Sequence, residues 1–148
     1  MEVMPGPAVY IMDACALTAR IRREPGAAVV DKLFRDRDAS LLAHAVNVCE
    51  VYYDSLRDAR KTQSPTDALQ VAEATIQALD ASGLQLRADM DEEFWRQVGQ
   101  FKVSPDRLSL ADCFALALCV RTGGMLVTSD HEFDPVAALG LCPVLFIR

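Results

Sequence analysis

The sequence lacks the features that mark membrane-spanning, secreted and disordered proteins. Its 148 residues contain no apolar run long enough to cross a membrane and no charged, apolar start typical of a signal peptide. No repeat, linker or low-complexity segment interrupts the chain. Hydrophobic residues make up 51% of it and charged residues 24%, as in ordinary globular proteins. We therefore expect a single domain, residues 1–148, located in the cytoplasm.

Basic residues are scarce relative to acidic ones. The chain has 15 Lys and Arg against 21 Asp and Glu, for a net charge of −6. Broad electrostatic binding to nucleic acid needs clustered basic residues, so this balance argues against it. It remains compatible with a nucleic-acid enzyme whose acids hold cations, because bound metal inverts the local charge. It also fits a protein whose acidic face is covered by a basic partner.

Paired cysteines are absent as well. The chain has five cysteines, an odd number, and no C-x-x-C motif. All five lie in apolar sequence surroundings, where a thiol packs as a small hydrophobic group. We expect core packing in a reducing compartment rather than a zinc or redox site. The five are Cys15, Cys49, Cys113, Cys119 and Cys142.

Five short apolar runs alternate with segments of helical periodicity. The strands are predicted at residues 8–13, 39–46, 84–88, 125–128 and 142–147. The helices are predicted at residues 14–22, 25–37, 47–61, 65–81, 91–101 and 109–122. In the fifth helix, Phe94, Trp95 and Val98 are expected to face the core. The alternation predicts an α/β fold, with a five-stranded parallel sheet flanked by helices.

Four acids recur at one edge of this predicted sheet. Asp13 closes the first strand, Glu50 lies one turn into the helix after the second, and Asp130 follows the fourth strand by two residues. Asp112 opens the helix that leads into the fourth strand. Converging carboxylates repel one another, and a divalent cation such as Mg²⁺ or Mn²⁺ relieves that repulsion. Such ions activate water for attack on a phosphodiester.

Each acid also has a purely structural interpretation. Asp13 is a favoured N-cap residue, and Ser109 with Asp112 fits a capping box. Asn47 is a candidate helix cap that Glu50 would complete, and Asp130 could stabilise a turn. The apolar flanks of Asp13 and Asp112 favour a functional role, because isolated charges there are unlike a solvated face.

The motifs around these acids resemble those of the PIN domain family, and within it the VapC-type toxins of toxin–antitoxin pairs. The resemblance spans nearly the whole chain in order and spacing. It rests on Tyr10-Ile11-Met12-Asp13-Ala14, Asn47-Val48-Cys49-Glu50-Val51-Tyr52-Tyr53, Ser109-Leu110-Ala111-Asp112-Cys113 and Val127-Thr128-Ser129-Asp130.

The resemblance implies a Mg²⁺- or Mn²⁺-dependent endoribonuclease, active as a toxin. It implies a homodimer silenced by a small antitoxin protein (VapB-like) that covers the site. By the same resemblance, the acidic quartet consists of metal ligands or organisers of metal-bound water, with two supporting polar residues. The quartet is Asp13, Glu50, Asp112 and Asp130, and the supporting residues are Asn47 and Thr128.

Other classes of protein fit the sequence less well. A phosphoacceptor receiver domain needs a second acid after the first strand, where Ala14 stands, and a late Lys, but none follows Lys102. A phosphohydrolase of the Asp-x-Asp type needs an acid where Cys15 stands. A catalytically silent PIN-fold binding module remains the alternative. The candidate RNA-contacting residues are Arg20, Arg22, Arg23, Arg57, Arg60 and Lys61.

Overall fold

The computed structural model describes residues 6–105 and 107–148. The strands are β1 (Ala8–Met12), β2 (Ala39–His44), β3 (Gln85–Arg87), β4 (Met125–Thr128) and β5 (Val144–Phe146). The helices are α1 (Ala14–Arg22), α2 (Ala27–Arg35), α3 (Ala45–Ala59), α4 (Pro65–Ala81), α5 (Glu92–Val103), α6 (Leu110–Thr122) and α7 (Asp134–Ala138). A single 3₁₀ turn, His131–Phe133, precedes α7.

The strands form one parallel sheet in the order β3-β2-β1-β4-β5. The chain builds outward from β1 through β2 to β3 and then crosses to the other side of β1 for β4 and β5. The strand order therefore reverses between β1 and β4. Ligands of open α/β sheets bind at such a reversal, beyond the carboxyl ends of the strands. The predicted five-stranded parallel α/β fold is confirmed, and the first and fourth strands place their following residues at this reversal.

Apolar side chains pack on both faces of the sheet. On one face lies α6, whose residues from Cys113 to Cys119 are all buried. A helix that is apolar all round must be covered on all sides, and α5 covers the outer side of α6 with Phe94 and Val98. The other face is covered chiefly by α1 and α2, through residues such as Leu17 and Val30.

Two predicted core residues are exposed instead. Trp95 is 45% exposed, because Phe94 and Val98 one turn apart occupy the buried side of α5 and Trp95 points away from it. Cys49 is exposed on α3, whereas Cys113, Cys119 and Cys142 are buried as predicted and Cys15 is half-buried. All five cysteines are free thiols. In the described part of the chain, no helix combines the length and apolar character needed to span a membrane.

Helix starts differ from prediction by more than one residue at two places. The second strand ends at His44 rather than at Val46, and α3 begins at Ala45. The helix predicted from Pro25 begins two residues later, after Gly26 with a φ of 97°. The predicted start of α4 is confirmed, with Ser64 accepting a hydrogen bond from the amide of Asp67.

Candidate active site

Asp13 stands at the centre of the strand-order reversal. Its side chain is 1% exposed. Oδ1 accepts a hydrogen bond from the Ala16 amide at 2.8 Å, so Asp13 is the N-cap of α1. Oδ2 accepts a hydrogen bond of 2.5 Å from the hydroxyl of Thr128, at the end of β4. The structural interpretation of Asp13 is therefore confirmed, and the same carboxylate joins the ends of two neighbouring strands.

The ionisation of Asp13 is strongly perturbed. Burial, with smaller contributions from the carboxylates of Asp112 and Asp130, raises the pKa of its carboxyl to about 7. The hydrogen bonds from Thr128 and Ala16 lower the pKa but do not offset the burial. At neutral pH, this carboxyl is about half protonated. A buried carboxyl whose pKa is raised this far is typical of a functional site.

Asp112 combines a structural contact with a place beside Asp13. Its Oδ2 accepts from the Ser109 amide and its own amide donates to Ser109 Oγ, both at 3.1 Å, so the predicted capping box is confirmed. Burial raises the pKa of the Asp112 carboxyl, and the carboxylates of Asp130 and Glu132 raise it further. The cap and the acidic cluster thus use the same side chain.

Glu50 and Asp130 reach the same region from α3 and from the 3₁₀ turn. Burial raises the pKa of Glu50, with further contributions from Asp112 and Asp54. Asp130 caps the 3₁₀ turn through a 2.9 Å bond from the Glu132 amide, and its own amide donates to Thr128 Oγ1 at 2.9 Å. The Thr128 hydroxyl therefore contacts two of the four acids, because it donates to the side chain of Asp13 and accepts from the backbone amide of Asp130.

The half-buried thiol of Cys15 lies near enough to all four acids for each to affect its pKa. Burial raises the pKa of the thiol to about 12, with smaller contributions from the carboxylates of Asp13, Asp130, Asp112 and Glu50. Cys15 is thus a thiol, not a nucleophilic thiolate. Beside it opens a cleft of about 180 Å³. The cleft is lined by Ala14, Cys15, Thr18, Glu24, Glu50, Asp54, Ser129 and Arg148.

Asn47 was predicted from the sequence to cap α3, but it does not do so. It is fully buried, and its Nδ2 donates to the carbonyl of Ala111 at 3.1 Å, which ties α3 to the start of α6. Among the described residues, its Oδ1 is a buried acceptor with no hydrogen-bond partner. A buried orphan acceptor is costly, and such groups in native proteins mark unseen waters, ions or functional sites. Asn47 thus joins the helix of Glu50 to the helix of Asp112.

The cap of α3 is His44, which sequence reasoning missed. Its Nδ1 accepts from the Val46 amide at 3.1 Å, so the proton lies on Nε2, which donates to the Asp89 carbonyl at 2.9 Å. The ring stacks on Phe94, with centroids 5.4 Å apart, and packs at a tilt of 49° against Phe114, with centroids 4.8 Å apart. Histidine is not a preferred N-cap residue, so no local signal distinguished it.

The oxygen atoms of this site suit a divalent cation in their chemistry but not in their spacing. In residues 6–105 and 107–148, no three His, Cys, Asp or Glu side chains lie close enough together to hold one metal ion. Carboxylate and amide oxygens are nevertheless the donors that Mg²⁺ and Mn²⁺ prefer, and the orphan Oδ1 of Asn47 adds one. The donor chemistry fits such an ion, and gathering the oxygens around it requires side-chain rotation.

A family model describes this combination of sheet and acids. The model of the PIN domain matches residues 10–139, which include all four acids. The chain belongs to the PIN domain family. A search of curated protein sequences finds no significant match.

Solved structures share this PIN fold at low sequence identity. PAE2754 from Pyrobaculum aerophilum is 21% identical with a TM-score of 0.67, over 95% of this chain and 90% of that chain. VapBC2 from Rickettsia felis, bound to a promoter DNA fragment, is 11% identical with a TM-score of 0.65, over 93% and 98%. VapC20 of Mycobacterium tuberculosis, a toxin that cleaves the sarcin-ricin loop, is 11% identical with a TM-score of 0.64, over 87% and 95%.

Proposed function

We propose that this PIN domain is a metal-dependent endoribonuclease and the toxin of a toxin–antitoxin pair. The observation that carries the proposal is the position of Asp13, buried at the reversal of strand order and hydrogen-bonded to the Thr128 hydroxyl, which also accepts from the Asp130 amide. A cluster of acids at this edge suits the binding of a hard cation next to a phosphodiester. The similar fold of a toxin that cleaves the sarcin-ricin loop supports RNA as the substrate.

Asp13, Glu50, Asp112 and Asp130 would hold Mg²⁺ or Mn²⁺. When bound, the cation lowers the pKa of water and neutralises the charge that develops on the phosphate. Thr128 keeps the Asp13 carboxylate in place through its hydroxyl.

Asn47 acts on the site by holding two helices together. Its side chain bonds to the carbonyl of Ala111, the residue before Asp112. Asn47 itself lies one helical turn before Glu50 on α3. This single side chain therefore fixes the separation of two acids that belong to different helices. Asn47 is therefore a positioning residue.

The partner of the toxin is a small antitoxin protein (VapB-like), and the chain acts as a homodimer in the cytoplasm. Structures of similar fold include VapBC-1 from nontypeable Haemophilus influenzae and a toxin–antitoxin complex from Klebsiella pneumoniae. The cleft beside Cys15 carries the acids Glu24, Glu50 and Asp54. A basic segment of an antitoxin complements that charge and would cover the site.

The alternative is a catalytically silent PIN-fold binding module. Retention of all four acids, with Asp13 buried at the cost of a raised pKa, favours the enzyme. The two functions differ in one measurable property, the cutting of RNA.

The test is cleavage of a mixed RNA pool by the purified, antitoxin-free protein. It is run with Mg²⁺, with Mn²⁺ and with chelator, alongside Asp13→Asn and Asp112→Asn. We expect fragments that need a metal and that disappear in both variants. The surface variant Asp134→Asn is the matched control, because Asp134 is exposed and pairs with His131. Cleavage that persists in chelator or in both site variants contradicts the proposal.

A further inference from the structure

An exposed aromatic ring lies directly beside one of the four acids. Tyr53 on α3 is 40% exposed. Its hydroxyl lies 3.5 Å from Oε1 of Glu50, and its ring lies beneath the guanidinium of Arg57, 5.1 Å from Cζ to the ring centroid. Tyr53 therefore offers a solvent-accessible aromatic ring, with a cation over it, next to a candidate active site.

Helix geometry places these three groups in a row. Glu50, Tyr53 and Arg57 are spaced by three and four residues, so they share one face of α3. The row begins with the carboxylate, continues with the flat ring and ends with the guanidinium. It therefore leads from the acidic cluster outward along the surface of the helix.

This row has the chemistry of a site for single-stranded nucleic acid. Unpaired bases stack on aromatic rings and on guanidinium planes, largely independently of base identity. Arg57 pairs with Asp54 at 3.5 Å, and both side chains are exposed. An exposed pair of this kind contributes little stability, so Arg57 can turn to a phosphate at small cost. In a chain of net charge −6, cations placed next to the acids matter for holding RNA.

A second pair of an exposed aromatic ring and an arginine lies on a different helix, away from the four acids. Trp95 is 45% exposed and has the guanidinium of Arg96 5.0 Å from its ring centroid. The two pairs are alike in exposure and geometry. Trp95, however, lies on α5, which carries none of the four acids. It is therefore a natural control for the effect of an exposed ring as such.

We propose that Tyr53 and Arg57 form a stacking site for one unpaired base of the RNA strand, flanking the phosphate to be cut. The proposal rests on the proposed ribonuclease function and adds to it a substrate-binding residue. Tyr53 provides the face on which the base stacks. Arg57 covers the ring in the free protein and moves to a backbone phosphate when RNA binds.

The test measures RNA binding separately from cleavage. Asp13→Asn is the common background, and the probe is a short single-stranded RNA that carries one fluorescent 2-aminopurine. Adding Tyr53→Ala should weaken binding roughly tenfold to hundredfold. Tyr53→Phe should retain both the affinity and the quenching of the base. Arg57→Gln should weaken binding modestly and reduce its dependence on salt. Trp95→Ala should change neither property.

Different results overturn different claims. Equal losses in Tyr53→Ala and Trp95→Ala would refute the stacking site, as would a loss in Tyr53→Phe, which would indicate that the hydroxyl contact to Glu50 matters instead. A Tyr53→Ala protein that binds RNA normally but sediments differently would identify the face as a protein contact. If every form fails to bind RNA, and the parent protein also cuts none, the ribonuclease proposal itself fails.

Discussion

Replacing Asp13 by Asn should change how stability depends on pH in the metal-free protein. Burial raises the pKa of Asp13 to about 7, against 3.8 for the exposed group. Between these values the folded protein holds a proton that the unfolded chain has released. Stability contributed by this group therefore falls as pH rises from about 4 to 7, and it stays low above 7. The Asn variant cannot ionise and lacks this loss.

The size of the effect follows from the two pKa values. Linkage between about 7 folded and 3.8 unfolded gives a loss of roughly 2.5 kcal/mol between pH 5 and pH 8. Asn retains an oxygen to accept from Ala16, but its amide meets the Thr128 hydroxyl where a carboxylate oxygen was. That exchange adds a cost that is nearly independent of pH. The difference between variant and parent should therefore shift in favour of the variant as pH rises.

The assay is urea denaturation of both proteins in chelator at a series of pH values from 5 to 8. We expect the free energy of unfolding of Asp13→Asn, minus that of the parent, to increase by roughly 2.5 kcal/mol from pH 5 to pH 8. Asp80→Asn, a replacement at an exposed position of α4, should follow the parent. A difference between Asp13→Asn and the parent that does not vary with pH would refute the raised pKa of Asp13.

Three further predictions concern the scaffold and the partner. His44→Ala should lower the free energy of unfolding by about 2–4 kcal/mol, because it removes the α3 cap and leaves a cavity between Phe94 and Phe114. His44→Asn restores a capping side chain and should recover about 1 kcal/mol of this loss, as measured by thermal melts. Gly26→Ala should cost more stability than Gly83→Ala, since both have positive φ but only at Gly26 would the new Cβ lie 2.7 Å from Ile147; equal melting temperatures would refute the clash. Expression of the chain should arrest growth, and co-expression of a neighbouring small antitoxin should relieve the arrest, as measured by colony counts.

The fold could be predicted because its signals are local. Short apolar runs that alternate with helical segments specify a parallel sheet, and parallel strands bring their carboxyl ends to one edge. That rule placed Asp13 and Asp130 together without any knowledge of contacts. The capping roles of Asp13 and Asp112 were equally local, since each bond spans three residues.

The features that escaped prediction depend on contacts between distant segments. Asn47 bonds to Ala111, 64 residues away, and His44 to Asp89, 45 residues away. Only the fold brings those partners together, so Asn47 was taken for a cap and His44 was overlooked. Trp95 was placed in the core because hydrophobicity alone does not show which side of α5 meets α6. The metal-binding role of the quartet stays a prediction.

The central claim is that the four acids act together on a divalent cation, and Mn²⁺ titration calorimetry at pH 7 tests it most directly. The parent protein should bind Mn²⁺ and release protons to the buffer, because the Asp13 carboxyl is about half protonated at that pH. Asp13→Asn should lose both the binding and the release, while Asp134→Asn should keep both. Equal Mn²⁺ binding by all three proteins, without proton release, would contradict the account.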